Sequence, residues 1–213
     1  MTQTLFISKH PIVATKVSQL RDVSQSPKQV RQLVNELSNL LGYEASANLA
    51  TVSKKSLMSP YEAYESTDLK ERIALVPVLR SGLGLVDGFL ELFPEAPVFH
   101  LGLFREKVSL QPVEYYNKLP HNPNVDICFV LDPIIATGNT AVATINILKE
   151  CGIPGSHIRF VSILASQQGV TQLQKVHPDV TLHLGAVDET LDAHGYIRPG
   201  VGDAGDRLFS TAL

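Results

Sequence analysis

Five short apolar runs recur between residues 73 and 187, and helical segments separate most of them. The runs are IALVPVL (73–79), VFHLGLF (98–104), ICFVL (127–131), IRFVSILA (158–165) and VTLHLGAV (180–187). Continuous apolar runs of this length are typical of strands that are buried on both faces. Strands that alternate with helices predict an α/β fold in which helices flank a mostly parallel sheet. Ligands of such sheets bind at the carboxyl ends of the strands.

The clearest helix start is Ser26 followed by Pro27, an N-cap with proline at the first helical position. Apolar residues then recur at helical spacing and predict a helix that runs to about Leu49. Further helices are predicted at 83–93, 140–152 and 167–177, and Gly152 is the expected C-cap of the second.

The segment EKVSLQPVEYYNKLP interrupts this alternation and predicts a β-arm around residues 105–120. Its residues Val113, Tyr115 and Tyr116 are expected to be exposed, where they would pack on a partner subunit or cover the site. Since 213 residues suit one α/β domain and no linker is evident, we expect a single domain over residues 1–213.

Composition limits the classes of ligand. The net charge of −3 gives no overall attraction for nucleic acid or anionic lipid, so a local cluster must hold any anionic ligand. Cys128 and Cys151 lie in an apolar run and at a predicted helix end, which favours two reduced thiols over a disulfide or a metal site. We found neither a signal peptide nor a long apolar segment and therefore expect a cytoplasmic protein.

The strongest local signal is ICFVLDPIIATGNTAVATINILK, a strand that ends at Asp132, a loop through Thr137 and Gly138, and a helix that begins near Asn139. Such a loop directs backbone N–H groups and the positive end of the helix dipole at a bound anion. It is not the nucleotide P-loop, because it lacks the required lysine. The alternative is an ordinary turn in which Asn139 caps the helix.

Gly200, Gly202 and Gly205 spell G-x-G-x-x-G near the end of the chain. That motif binds a dinucleotide only where a strand precedes it and a helix follows it. Only DRLFSTAL follows Gly205, and we expect this stretch to be too short for the helix and the further strand. The remaining alternatives are surface turns in a flexible tail or a different binding function.

Four stretches together resemble the uracil phosphoribosyltransferases, which are type I phosphoribosyltransferases. LDPIIATGNT resembles the family's 5-phosphoribosyl 1-diphosphate motif, and KHPIV with LLGYEA, VPVLRSGLGLVDG and HGYIRPGVGDAGDR match in the same order. The resemblance extends from about Lys9 to Thr211. It implies that uracil and 5-phosphoribosyl 1-diphosphate react to give UMP and diphosphate.

The resemblance also implies roles for individual residues. It assigns Arg80, Arg105 and Asp203 to catalysis, and the uracil site to Ile197, Gly202, Asp203 and Ala204. The same three catalytic residues and the loop bind phosphoribosyl diphosphate; the loop residues are Asp132, Pro133, Ile134, Ile135, Ala136, Thr137, Gly138, Asn139 and Thr140. Taken singly, each arginine would more often be a solvated surface residue, but two arginines at strand ends beside an anion loop favour the functional role.

Mg²⁺ is expected to arrive mainly on the phosphoribosyl diphosphate, with no protein ligand assigned. A homodimer or homotetramer and a GTP effector are further expectations from the resemblance. Two positions depart from the family pattern, because Asn139 replaces a glycine and Arg198 replaces an apolar residue. The alternative function is therefore a phosphoribosyltransferase-like regulator that binds nucleotide, and a transferase for another base is disfavoured by GDAGD.

Overall fold

The computed structural model describes residues 4–105 and 112–211. The strands are β1 (Leu5–Ile7), β2 (Thr51–Met58), β3 (Ala63–Leu69), β4 (Ile73–Leu79), β5 (Leu101–Arg105), β6 (Pro112–Asn117), β7 (Ile127–Leu131), β8 (Ile134–Ile135), β9 (Ile158–Ser166), β10 (Thr181–Asp188), β11 (Thr190–Leu191) and β12 (Ile197–Arg198). The helices are α1 (Pro11–Arg21), α2 (Pro27–Ser46), α3 (Leu83–Leu92), α4 (Asn139–Glu150), α5 (Gln167–Val176) and α6 (Ala204–Phe209), and a 3₁₀ turn spans Gly155–His157.

Eight of the described strands form one large sheet in the order β1-β10-β9-β7-β4-β5-β6, with β8 paired to β9, and the pairs β2–β3 and β11–β12 form two small separate sheets. Neighbouring strands of the large sheet run parallel except for β5 and β6, which are antiparallel. The predicted α/β fold with a mostly parallel sheet is therefore confirmed. The five apolar runs correspond to β4, β5, β7, β9 and β10.

Helices cover both faces of the sheet and bury it completely at its centre. Phe129 and Leu131 of β7 pack into the cluster that contains α1, α2 and α3. Cys128 and Val130 of the same strand pack into the cluster that contains α4 and α5. Because consecutive residues of β7 face opposite layers, its sequence must be apolar throughout, as the sequence interpretation assumed.

The helix start predicted from Ser26 and Pro27 is confirmed. Helix α2 begins after Ser26, whose side chain accepts from the N–H of Gln29 while the Gln29 side chain accepts from the N–H of Ser26. The helix ends at Ser46, before the expected Leu49.

Strand β6 pairs with β5, so the described part of the predicted arm is a β-structure, whereas residues 106–111 lie outside the described chain.

The β2–β3 hairpin, strand β1 and helix α1 are among the elements that were not predicted. The hairpin of β2 and β3 occupies a stretch interpreted only as polar, because every residue of β2 is exposed and no apolar alternation marks it. Strand β1 is too short to carry a pattern, and α1 buries only Val13, Val17 and Leu20. Within the described residues, no helix is long and apolar enough to span a bilayer.

Candidate active site

Three polar residues lie along the carboxyl edge of the sheet. Asp132 follows β7, Arg80 follows β4 and Arg105 ends β5, and these three strands are neighbours in the sheet. Since they are parallel, their carboxyl ends lie along the same edge. The sequence placed all three residues at this edge, and the backbone agrees. The side chain of Arg105 lies outside the described part of the chain.

The loop after Asp132 encloses a cavity of about 120 Å³. Its lining consists of Pro112, Asp132, Ile134, Ile135, Ala136, Thr137, Gly138, Asn139, Thr140 and Ala141. A cavity of this volume holds several oxygen-sized atoms. Within the described residues, the N–H groups of Thr137 and Gly138 have no hydrogen-bond partner. The cavity therefore provides free donors at the amino terminus of a helix, which is the chemistry of a phosphate site.

Gly138 shapes the turn into α4. Its φ of 85° is left-handed, and a Cβ on it would lie 2.9 Å from the carbonyl oxygen of Gly169. Only glycine combines a left-handed φ with the absence of a Cβ that would crowd the Gly169 carbonyl. Gly138 is also the N-cap of α4 and supplies no side chain to it. The alternative in which Asn139 caps the helix is wrong, because Asn139 is already the first helical residue.

Asp132 is a buried carboxyl group at the mouth of the loop. Burial raises its pKa to about 7, and the nearby charge of Asp203 acts in the same direction. Ser81 Oγ donates to Asp132 Oδ1 over 3.1 Å, and the backbone of Ile134 also hydrogen-bonds to the carboxylate. These bonds lower the pKa but do not offset burial. The group changes its charge near neutral pH, where its oxygens would accept hydrogen bonds from a ligand.

The carboxyl-terminal motif forms a turn followed by a short helix. Gly200 and Gly202 have φ of 65° and 74°, which are left-handed conformations. Asp203 is the N-cap of α6, and its Oδ1 accepts from the N–H of Asp206 over 2.9 Å. The sequence interpretation expected no helix after Gly205 and was wrong on this point. The local signal was an Asp203 N-cap with Asp206 three residues later.

The motif is not a flexible tail, because arginine side chains hold it to the amino-terminal helices. Arg207 donates to the carbonyls of Val201 and Asp22, both over 2.8 Å. Arg31 donates to the carbonyl of Leu208 over 2.8 Å. Hydrogen bonds from charged donors are each worth about 1.5–3 kcal/mol, which is enough to order such a segment.

Arg21 and Asp188 form an ion pair that the sequence interpretation missed. Both terminal nitrogens of Arg21 lie 2.7 Å from the carboxylate oxygens of Asp188. Arg21 also donates to the Gly200 carbonyl, and the Gly200 N–H donates to Asp188. The pair thereby fixes the first glycine of the motif. The available signal was an acidic residue directly after the apolar run 180–187.

The phosphate loop and the carboxyl-terminal motif lie side by side. Pro133 and Ile134 share a small apolar cavity with Val201 and Ala204. Asp203 is close enough to Asp132 to raise its pKa. The structure thus brings together the two segments that the sequence assigned to a single site.

Arg80 and Ile197 complete the candidate set. Arg80 is exposed, and its guanidinium lies 3.4 Å from Asp206 Oδ1 and 3.4 Å from Thr211 Oγ1. It therefore faces the carboxyl-terminal motif. The side chain of Ile197 is buried in the core, so its backbone in β12 is the part available to a ligand.

Comparisons with known proteins agree with this geometry. The family described as uracil phosphoribosyltransferase matches residues 7–211. The uracil phosphoribosyltransferase of Roseiflexus castenholzii is 50% identical over 207 residues, covering 97% of this chain and 98% of that protein. The Streptococcus uberis enzyme of the same name is 43% identical over 205 residues, covering 96% and 97%. The structure of the AQ2163 protein from Aquifex aeolicus superposes with a TM-score of 0.91 at 30% identity, covering 98% and 99%.

The family match spans nearly the whole chain, and it includes both segments of the candidate site. The relatives are matched over nearly their full length as well. On this evidence the chain belongs to the uracil phosphoribosyltransferase family.

Proposed function

We propose that this protein transfers the phosphoribosyl group to uracil and so makes UMP. N1 of uracil forms a bond to C1 of the ribose while the bond from C1 to the diphosphate oxygen breaks. The N1 proton leaves and diphosphate is released. The observation that carries the proposal is that the loop lining a phosphate-type cavity packs beside the glycine-rich carboxyl-terminal motif, in a chain of this family.

The loop from Asp132 to Thr140 is proposed to hold the ribose 5-phosphate. Free N–H groups and the hydroxyls of Thr137 and Thr140 would donate to the phosphate oxygens. Asp132 would accept from the ribose hydroxyls. Because its pKa is about 7, its capacity to accept grows through the neutral range.

Arg80 and Arg105 are proposed to bind the diphosphate. Arg80 follows β4 and Arg105 is the last residue of β5, and these two strands are neighbours at the site edge. The diphosphate gains negative charge as it leaves, and a fixed guanidinium stabilises that charge more in the transition state than in the ground state. Asp206 and Thr211 lie against the Arg80 guanidinium and would steer it toward the motif.

The backbone at Ile197 and at Gly202–Ala204 is proposed to read uracil. The base presents two carbonyl acceptors with an N3–H donor between them, and backbone N–H and C=O groups can match that pattern. Cytosine reverses the pattern at positions 3 and 4 and would leave buried polar groups unpaired. Asp203 would face both substrates, consistent with its proximity to Asp132.

Mg²⁺ is proposed to enter with the phosphoribosyl diphosphate. Among the described residues no group of three or more His, Cys, Asp or Glu could hold a metal ion. Mg²⁺ that accompanies a polyphosphate is held mainly by substrate oxygens and water. Asp132 and Asp203 supply the nearby carboxylates, and the bound ion would offset charge on the leaving diphosphate.

Three further expectations, on assembly, location and an effector, are proposed together with the activity. A homodimer or homotetramer is supported by exposed apolar residues on the β2–β3 hairpin and on β6, such as Met58, Tyr64 and Tyr115. A cytoplasmic location is supported by two unpaired cysteines. A GTP effector rests on the family resemblance alone. Sedimentation, cell fractionation and kinetics with added GTP would test these three proposals.

The direct test incubates the protein with radiolabelled uracil, phosphoribosyl diphosphate and Mg²⁺. Parallel reactions replace uracil with cytosine, hypoxanthine or orotate. We expect UMP from uracil and little product from the other bases. A protein that binds UMP but makes none would instead be a regulator, and product from another base would refute the proposed uracil specificity.

A further inference from the structure

The short hairpin formed by β11 and β12 is closed by the side chain of Asp192. Its Oδ1 accepts from the N–H groups of His194 and Tyr196, both over 2.9 Å. Its Oδ2 accepts from Arg198, over 2.6 Å from Nη2 and 3.2 Å from Nε. Four hydrogen bonds therefore converge on one carboxylate, whose side chain is only 17% exposed.

These bonds hold the residues on both sides of Ile197. Tyr196 precedes Ile197 and Arg198 follows it, and both are tied to the same carboxylate. The backbone adds a further bond from the N–H of Asp192 to the carbonyl of Tyr196 over 2.8 Å. The Tyr196 carbonyl belongs to the same peptide group as the Ile197 N–H, so a rotation of that group would break its bond from Asp192. The Arg198 side chain adds a tether on the other side of Ile197.

The electrostatics of the hairpin agree with the geometry. The pKa of Asp192 is lowered, chiefly by the hydrogen bond from the Tyr196 backbone and also by that from Arg198. The carboxylate is therefore charged throughout the neutral range. Asp188 and Arg21 fix Gly200, three residues beyond Ile197, so the base segment is anchored at two points.

We infer that Asp192 and Arg198 are positioning residues for base recognition, in that they fix the orientation of the Ile197 peptide groups that read uracil. This inference rests on the proposed function. The arginine that departs from the family pattern has a local partner and is part of the base site's support. The phosphate loop lies outside this hairpin, so the effect falls on the base and not on the phosphoribosyl substrate.

The test measures KM for uracil and for phosphoribosyl diphosphate in the Asp192→Ala, Asp192→Asn and Arg198→Val variants. Asp192→Ala removes all four bonds and should raise KM for uracil roughly tenfold or more, with KM for phosphoribosyl diphosphate within about twofold of wild type. Asp192→Asn keeps an oxygen for the two backbone donors but loses the ion pair. Asp192→Asn and Arg198→Val should give smaller increases in KM for uracil.

The matched control is Asp126→Asn. Asp126 also accepts from an arginine side chain and a backbone N–H, those of Arg72, but at the amino-terminal edge of the sheet. It should leave both KM values unchanged. Melting temperatures identify variants that fail to fold, and Asp192→Asn then carries the test.

The outcomes separate the inference from the proposed function. Wild-type protein that forms no UMP refutes the function itself. If wild type forms UMP, then unchanged KM values in folded Asp192 variants would overturn the positioning role alone. An equal rise in both KM values would also overturn it, because it would show a general structural defect.

Discussion

Replacing Asp132 with asparagine should stabilise the protein at alkaline pH while impairing its activity. The folded-state pKa of Asp132 is about 7, against an ordinary value of 3.8. Because burial raises the pKa of Asp132, its contribution to the free energy of unfolding is fully present below pH 3.8, the pKa in the unfolded chain. That contribution is lost as the pH rises through about 7, the pKa in the folded protein. Where Asp132 is ionised in both the folded and the unfolded protein, this difference in pKa lowers the free energy of unfolding by about 4 kcal/mol. Asparagine carries no charge to bury, so the variant escapes this loss.

The magnitude can be followed across pH. From about pH 5.5 to about pH 8.5, the variant should gain about 2 kcal/mol in free energy of unfolding relative to wild type. Urea denaturation at several pH values measures this difference. Asp126→Asn is the control, because hydrogen bonds from Arg72 lower the pKa of that exposed carboxyl group below its ordinary value of 3.8. Its effect on the free energy of unfolding should therefore stay constant from about pH 5.5 to about pH 8.5. A difference between Asp132→Asn and wild type that stays constant with pH would refute the argument from burial.

The same substitution should reduce kcat/KM for phosphoribosyl diphosphate. Hydrogen bonds to a charged acceptor are worth about 1.5–3 kcal/mol, so a reduction of roughly 10-fold to 100-fold is expected. Initial rates at varied phosphoribosyl diphosphate give this value. Wild-type kinetics in the variant would remove Asp132 from the site.

Four further predictions follow from the site and the core. Asp203→Asn should impair turnover without lowering the melting temperature, because asparagine is an equally good N-cap; a large loss of stability would contradict this. Asn139→Gly should keep activity, with KM for phosphoribosyl diphosphate within roughly tenfold, since Gly138 and not Asn139 is the N-cap of α4. Arg105→Ala should reduce kcat/KM by ~2–4 kcal/mol of transition-state stabilisation in steady-state assays. Burial lowers the pKa of His183 from 6.5 to about 4. The contribution of His183 to the free energy of unfolding should therefore be fully present above pH 6.5, and about 3 kcal/mol of it should be lost as the pH falls to 4. His183→Phe should remove this pH dependence from the free energy of unfolding measured between pH 4 and pH 6.5.

The sheet and the phosphate loop were predictable because their signals are local. A strand buried on both faces must be apolar at each position, and β7 is an example. In the loop, Gly138 indicates the turn into the helix, and Asp132 is the acidic residue at the end of the strand. No contact with a distant segment is needed to recognise either of them.

The missed features depend on contacts between distant residues or lack a core-facing pattern. Arg21 and Asp188 are separated by 167 positions, so their ion pair exists only once β10 and α1 are packed together. The β2–β3 hairpin has no buried face to impose a period on its sequence. Asp192 was not singled out from the sequence, because its role depends on the four donors that the fold places around its carboxylate.

A crystal structure with bound UMP tests the central claim most directly, because one molecule then occupies both halves of the site. We predict that the phosphate lies in the cavity lined by Ala136–Thr140 and that the base hydrogen-bonds to the backbone at Ile197 and at Gly202–Ala204. A phosphate in that cavity with the base directed away from the carboxyl-terminal motif would contradict the assignment of base recognition. A nucleotide bound elsewhere would contradict the assignment of the site as a whole.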